Sequence, residues 1–233
     1  MSTSTLLINN HGSCSGKTSL AELAERFGSL GPVIVEQPDR PEDLPGLIRR
    51  HGPQVDQVVL GGGDGTVNLA LDAVLEVNRP LGLLPIGTAN DLARSLEIPE
   101  DLDQAFAIIL DGHIRQIDVA YANQVSFVNA IGLGLGPQMT RQMDSETKAR
   151  LGVFSYLIGV IRAFRKHRSF EVIGRLRWGH NTRAADDMTH IRCPRLVLTT
   201  RPKMEITVDG EFLTSTPLAC EVRPQALKIF APD

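Results

Sequence analysis

The feature that most constrains this chain is an apolar run, Val58-Val59-Leu60, that ends on Gly61-Gly62-Gly63-Asp64-Gly65-Thr66 and continues into Val67, Leu71, Val74 and Leu75 at helical spacing. This reads as a buried strand, a tight loop and the start of a helix. Glycines at such a junction let the backbone turn freely and bring N–H groups against the oxygens of an anion at the helix N-terminus. An aspartate inside a phosphate cradle would repel the ligand by about 4 kcal/mol at roughly 4 Å with an effective dielectric of about 20. Asp64 therefore implies a compensating Mg2+ or a proton-transfer role. The plainer alternative is a strand-to-helix turn with Asp64 as an N-terminal cap.

A second segment repeats the logic. Leu81 to Pro85 reads as a strand, and Pro85-Ile86-Gly87-Thr88-Ala89-Asn90-Asp91-Leu92-Ala93 then gives a Gly-Thr turn and a helix start, with the helix running over 91–96. Two such turns at the same end of a parallel sheet face one crevice, where α/β proteins place ligands. Around them, residues 1–118 alternate short β-branched runs with helical patterns: strands at Leu6-Leu7-Ile8 and Val33-Ile34-Val35, and helices over 17–27 and 44–51. That alternation marks a parallel α/β layer. Beyond Asp118 the pattern changes to strands and turns: Val119 to Tyr121 and Val125 to Val128 flank a turn, and Met204, Ile206 and Val208 alternate with polar residues up to Asp209-Gly210. The expected fold is thus α/β plus all-β. A Rossmann-like parallel α/β domain over 1–118 precedes a β-rich domain over 119–233, interrupted by one helix near 148–166.

Gly12-Ser13-Cys14-Ser15-Gly16-Lys17-Thr18 follows the first strand and opens a helix, as a P-loop does, but His11 stands where the first glycine of that pattern belongs. Lys17 and Thr18 could still serve a phosphate and Mg2+. A P-loop small-molecule kinase using residues 12–18 therefore remains a competing reading.

Composition narrows the function classes. An apolar share of 42% with 22% charged residues is ordinary for a globular chain, and a net charge of -3 gives no general attraction to nucleic acid. Three cysteines at scattered positions, Cys14, Cys193 and Cys220, argue against a disulfide framework, and His113, His180 and His190 show no metal-ligand spacing with one another. The apolar stretch 151–164 is too short and too polar for a membrane span, and no charged leader precedes an apolar run at the start. The expected location is the cytoplasm, including the inner face of its membrane. Charge is uneven, however: Arg162, Arg165, Lys166, Arg168, Arg175, Arg177 and Arg183 are opposed in that window only by Glu171. An apolar helix with this basic flank suits either a core element with cations at its C-terminus or peripheral contact with an anionic bilayer.

Gly62-Gly63-Asp64-Gly65-Thr66 with Asn68, followed by the segment Pro85 to Ala93, resembles the catalytic domain of bacterial diacylglycerol kinases and related lipid kinases, including sphingosine kinases. The resemblance continues at Phe127-Val128-Asn129-Ala130, Gly132-Leu133-Gly134, Leu151-Gly152 to Tyr156, Val208-Asp209-Gly210-Glu211 and the stretch from Pro217 to Pro232. It implies ATP and Mg2+ as cofactors and a lipid alcohol as acceptor. Asn10, Ser15, Gly16, Gly62, Gly63, Gly65, Thr66, Asn68, Gly87 and Thr88 would lie on the nucleotide, and Asp64 would act through the metal. Asp209 or Glu211, from a cleft-facing turn of the β-domain, would take the lipid hydroxyl's proton. A plain Asp-Gly hairpin turn is the alternative for Asp209-Gly210.

The chain departs from the family pattern around 177–190, where a Gly-Gly-Gly segment and an Asp-Asp-Gly-x-Leu-Asp segment are expected and Asp186-Asp187-Met188 stands instead. The resemblance places a structural Mg2+ site and several sandwich strands there. A truncated β-sandwich-type domain with an open edge follows, and such an edge admits a homodimer. A nucleotide- or lipid-binding module without phosphotransfer is the alternative from a different class.

Overall fold

The computed structural model describes residues 2–9, 20–133, 171–177, 180–181, 191–209 and 211–233. The predicted helix near 148–166 and most of the basic stretch lie outside the described residues. The chain divides into two units, Met1–Val119 with Pro224–Asp233, and Ala120–Arg223. Residues 224–233, assigned from sequence to the β-rich domain, thus belong to the first unit. Ile229 pairs in parallel with Leu81, and Leu227, Ile229, Phe230 and Ala231 are buried.

The first unit is built on parallel strands in the order β2 (Val33–Glu36), β1 (Thr5–Asn9), β3 (Gln57–Gly62), β4 (Leu81–Pro85) and the end of β14 (Leu218–Phe230). Every residue of β1, β3 and β4 is buried, as continuous apolar runs covered on both sides require. The helices form two packed pairs. Helix α2 (Leu44–His51) lies on α3 (Asp64–Val77). Helix α1 (Leu20–Gly28) meets α5 (Leu102–Asp111) through Phe27 and Phe106, whose rings are edge-to-face with centroids 4.7 Å apart. Arg26 lies over the Phe106 ring and ion-pairs with Asp103. Because β1 leads to β2 in one direction and β3 leads to β4 in the other, right-handed crossovers place α1 and α3 on opposite faces of the sheet.

In the second unit, Ala120↔Phe127, Tyr121↔Ser126 and Ala122↔Val125 join the end of β5 (Ile114–Ala122) to β6 (Val125–Phe127). Asn123 and Gln124, at φ 47° and 77°, form the two-residue turn, as a hairpin turn with both central residues at positive φ requires. Strands β8 (Glu171–Arg177), β11 (Arg195–Arg201) and the start of β14 are antiparallel neighbours. Strands β7 (Ile131–Leu133), β12 (Glu205–Val208) and β13 (Glu211–Ser215) form a separate three-stranded sheet, and β9 (His180–Asn181) pairs with β10 (Ile191–Arg192). Ala122, Phe127, Ile206, Val208 and Leu218 make the buried core of this unit.

Candidate functional site

In the strand order β2-β1-β3-β4 the direction of chain progress reverses between β1 and β3. Ligands of open α/β sheets bind outside the carboxyl ends of the strands at such a switch point. Here that position is occupied by Asn9, paired with Gly61, and by the glycine loop that follows. The preceding loop, with the predicted residues Asn10, Ser15 and Gly16 and the P-loop candidates Lys17 and Thr18, lies outside the described residues.

The first loop is short because β3 runs to Gly62 and α3 begins at Asp64. Gly63 is the N-cap of α3 with no side-chain cap, and its carbonyl accepts from Thr66 N at 3.0 Å and Val67 N at 3.1 Å. The first turn thus closes on the Gly63 carbonyl, and the positive end of the α3 dipole at Asp64 and Gly65 suits an anion. Thr66 is only 6% exposed and folds back over Gly62, where a Cβ would stand 2.4 Å from its Oγ1. Gly65 is exposed and Asn68 half-buried one turn further along.

The second loop, after β4, touches the first backbone to backbone. A Cβ on Gly63 would lie 2.9 Å from Gly87 Cα, and one on Gly87 would lie 2.4 Å from Gly63 Cα. Only two glycines permit this approach. Asn90, in the left-handed region at φ 50° and 4% exposed, fixes the turn through its amide: Gly87 N donates to Oδ1 at 3.0 Å and Nδ2 donates to Gly87 O at 3.0 Å. Thr88 at the tip is exposed. Asp64 reaches across to the short helix α4 (Asp91–Ser95), accepting from Asp91 N on Oδ2 at 3.0 Å and from Leu92 N on Oδ1 at 3.2 Å. Arg94 donates to Ala89 O at 2.8 Å and stands 3.9 Å from the Asp91 carboxylate.

Gly62, Gly63, Asp64, Gly87 and Thr88 are therefore brought together at the carboxyl ends of β3 and β4. The cavity behind the loops measures about 10 Å³ and is lined by Gly62, Gly63, Asp64, Val67, Leu83, Pro85, Asn90, Leu92 and Ala93. It holds about one water at most, which leaves no room for a phosphate behind the loops. Asn90 and Arg94 were not among the predicted site residues. The αL tolerance of asparagine directly after a Gly-Thr-Ala turn was a usable signal for the first. Arg94, as a cation near a phosphate turn, carried little signal of its own.

Asp209 lies in the second unit. Val208 pairs with Glu211, which makes Asp209-Gly210 the connection of the β12–β13 hairpin. Asp209 has φ 46°, its Oδ1 accepts from Ala130 N at 2.8 Å, and its Oδ2 accepts a longer bond from Val128 N at 3.5 Å. Its own N–H donates to Ala130 O at 2.9 Å. Glu211 opens β13, and its side chain lies outside what is described. Among the described residues, no three His, Cys, Asp or Glu side chains converge to hold a metal.

Residues 3–122 match the model of the diacylglycerol kinase catalytic domain. "Probable lipid kinase YegS" of Salmonella arizonae is 43% identical over 120 residues, and that of Salmonella typhimurium strain LT2 is 42% identical. Each match covers 49% of this chain and 40% of the relative's length, so the likeness to these proteins is confined to less than half of them. A crystal structure of a diacylglycerol kinase from Bacillus anthracis strain Sterne superposes with a TM-score of 0.74 at 19% identity, covering 99% of this chain and 97% of that one. A second structure from the same organism gives 0.77 at 20% identity, covering 99% and 95%. These establish the same α/β-plus-β architecture. With a family match across more than half of its residues and the two glycine loops joined at the switch point, the chain belongs to the diacylglycerol kinase catalytic domain family.

Proposed function

We propose that this chain binds ATP against its two glycine loops and transfers the γ-phosphoryl group to the hydroxyl of diacylglycerol or a related lipid alcohol. The observation that carries the reading is the Gly63–Gly87 contact, which sets two phosphate-suited turns side by side at the switch point of a parallel sheet. Gly62, Gly63 and Gly65 at the start of α3, with Asn68, Gly87 and Thr88, would hold phosphates. Thr66, with its side chain buried against Gly62 and its N–H donating to Gly63 O, would shape the turn that receives them. Asn10, Ser15 and Gly16 would complete the nucleotide contact.

Nucleotide-bound Mg2+ needs only one or two carboxylates beside phosphates and water. Asp64 is the acidic side chain of the first loop that would face it. The ion would neutralise charge on the transferring group. The lipid hydroxyl would lose its proton to Glu211, its oxygen would bond to the γ-phosphorus, and the bond from that phosphorus to the bridging oxygen would break to leave ADP. The commitment of Asp209 to Ala130 and Val128 N–H groups supports Glu211 as the base of the pair.

The same commitment favours a second reading, a nucleotide- and lipid-binding module without transfer. Incubation with ATP, Mg2+ and a panel of diacylglycerol, sphingoid and isoprenoid alcohols separates the two. Lipid phosphorylation supports the kinase, and nucleotide binding without phosphorylation supports the module.

Contact with a bilayer surface, through residues 151–168 outside the described region, would bring the chain to its lipid on the cytoplasmic face. Sedimentation with liposomes of rising anionic-lipid content tests it. Among the described residues no helix is long and apolar enough to cross a membrane. A homodimer through an open strand edge would appear as a doubled mass in sedimentation equilibrium.

A further inference from the structure

The five-residue helix α4 (Asp91–Ser95) is far too short to stand by itself. Its N-cap residue cannot cap it either. Asn90 is held in the left-handed region, and its side chain turns back to Gly87 instead of bonding the N–H groups ahead of it. The N–H groups of Asp91 and Leu92 are satisfied from another element altogether, by the two carboxylate oxygens of Asp64 at 3.0 and 3.2 Å. A free helix end requires such partners.

We infer that Asp64 is a positioning residue, a carboxylate clasp that holds the second phosphate loop in register with the first. Its backbone is anchored at the first residue of α3, immediately after the glycine that touches Gly87. The clasp and the glycine contact thus constrain the same pair of loops from two sides. The other acidic group at this position, the Asp91 side chain, is turned toward Arg94 and does not share the task. The role in nucleotide binding rests on the proposed function, whereas the clasp itself does not.

The test uses the full chain with Asp64→Asn, which keeps the size and one acceptor oxygen, and Asp64→Ala, which keeps neither. In nucleotide-free protein, amide exchange of Asp91 and Leu92 is expected to quicken in the order wild type, Asp64→Asn, Asp64→Ala, while the amides of β1 stay protected. Nucleotide affinity is then measured in EDTA, where no metal can be involved. If the second loop is in place only a tenth of the time in the asparagine variant, ADP binds about tenfold more weakly.

A carboxylate whose only role was to face a metal gives the opposite sign in EDTA, because removing its charge relieves repulsion of the phosphates. Exchange at Asp91 and Leu92 that is unchanged in both variants, or ADP binding in EDTA that is equal or tighter, overturns the inference. Loss of β1 protection as well would make the carboxylate part of the general fold and also overturn it. A wild-type chain that binds no nucleotide refutes the proposed function while the exchange comparison still reads the clasp.

Discussion

Gly87→Ala would put a methyl carbon 2.4 Å from Gly63 Cα, 2.7 Å from Asn90 Oδ1 and 3.1 Å from Gly63 N. Carbon atoms at rest stand about 3.5–4.0 Å apart, so the two loops must separate by roughly 1 Å or more. Neither neighbour can yield cheaply. Gly63 caps α3 through its carbonyl, and Asn90 Oδ1 is the acceptor for Gly87 N. Overpacking of this kind costs about 1–3 kcal/mol, and loss of the Asn90–Gly87 bond adds about 1 kcal/mol. At roughly 3–5 °C per kcal/mol for a unit of this size, the melting temperature should fall by roughly 6–20 °C.

Gly65→Ala is the matched control. It has open space around its Cβ position and lies second in α3, where alanine is favoured over glycine by up to about 1 kcal/mol. Thermal unfolding followed by circular dichroism should therefore move in opposite directions for the two variants, and a fluorescent ATP analogue should bind at least about tenfold more weakly to Gly87→Ala. If Gly87→Ala melts with or above the wild type, the tight contact between the loops is refuted.

Three further expectations follow from particular bonds. Asp209→Ala removes the acceptor for the exposed Ala130 N and puts alanine at a left-handed φ, so unfolding in urea should show a loss of about 1–2 kcal/mol. Glu211→Gln, in contrast, should abolish lipid phosphorylation and leave ATP affinity intact; retained phosphorylation would exclude Glu211 as the base. Asp101→Ala deletes the N-cap of α5, which accepts from Gln104 N at 3.0 Å, and should cost about 0.5–2 kcal/mol; an unchanged urea midpoint would contradict the cap.

The Asp56 carboxyl is held below its ordinary range by the Ser4 N–H and then the Ser4 hydroxyl, with the charge of Arg79 adding to the effect. A lowered folded pKa stabilises fully above the unfolded value of about 3.9 and ceases to do so as pH falls through the folded value. Melting temperature should therefore drop less steeply on acidification in Asp56→Asn than in the wild type, and equal slopes would refute the assignment.

The parts of the fold that were legible in the sequence are those whose burial is written in a local period. Strands β1, β3 and β4 are continuous apolar runs and are buried throughout, and α3 buries Val67, Ala70, Leu71 and Val74 on one face. Helix α5 was not anticipated, although Asp101 before Leu102, the burial of Ala105, Phe106 and Ile109, and Gly112 in the left-handed region form a complete start, face and stop. Asp101 and Asp103 at its start and Asp111 as its last residue obscured that face.

At the site, the two glycine turns were legible because close backbone approach has a residue signature. The Asp64–Asp91 clasp was not, because a carboxylate accepting backbone N–H groups across 27 positions leaves no trace in the identity of the donor. The placement of 224–233 in the first unit was hidden for a related reason. An apolar strand reads the same whichever neighbour it joins, and Ile229 meets Leu81 only through the fold.

That last strand alters how the first unit can be made. Because Ala120–Arg223 is inserted within it, a ribosome makes the strand that joins β4 only after the whole second unit, with β4 awaiting Ile229 until then. The intervening segment must be spanned before this pairing forms. The entropy of closing such a loop rises slowly with its length, but long-range pairing is slow to find. Until that moment the nascent first unit has an unpaired strand edge beside β4, the kind of surface that chaperones recognise and that misassembles when crowded.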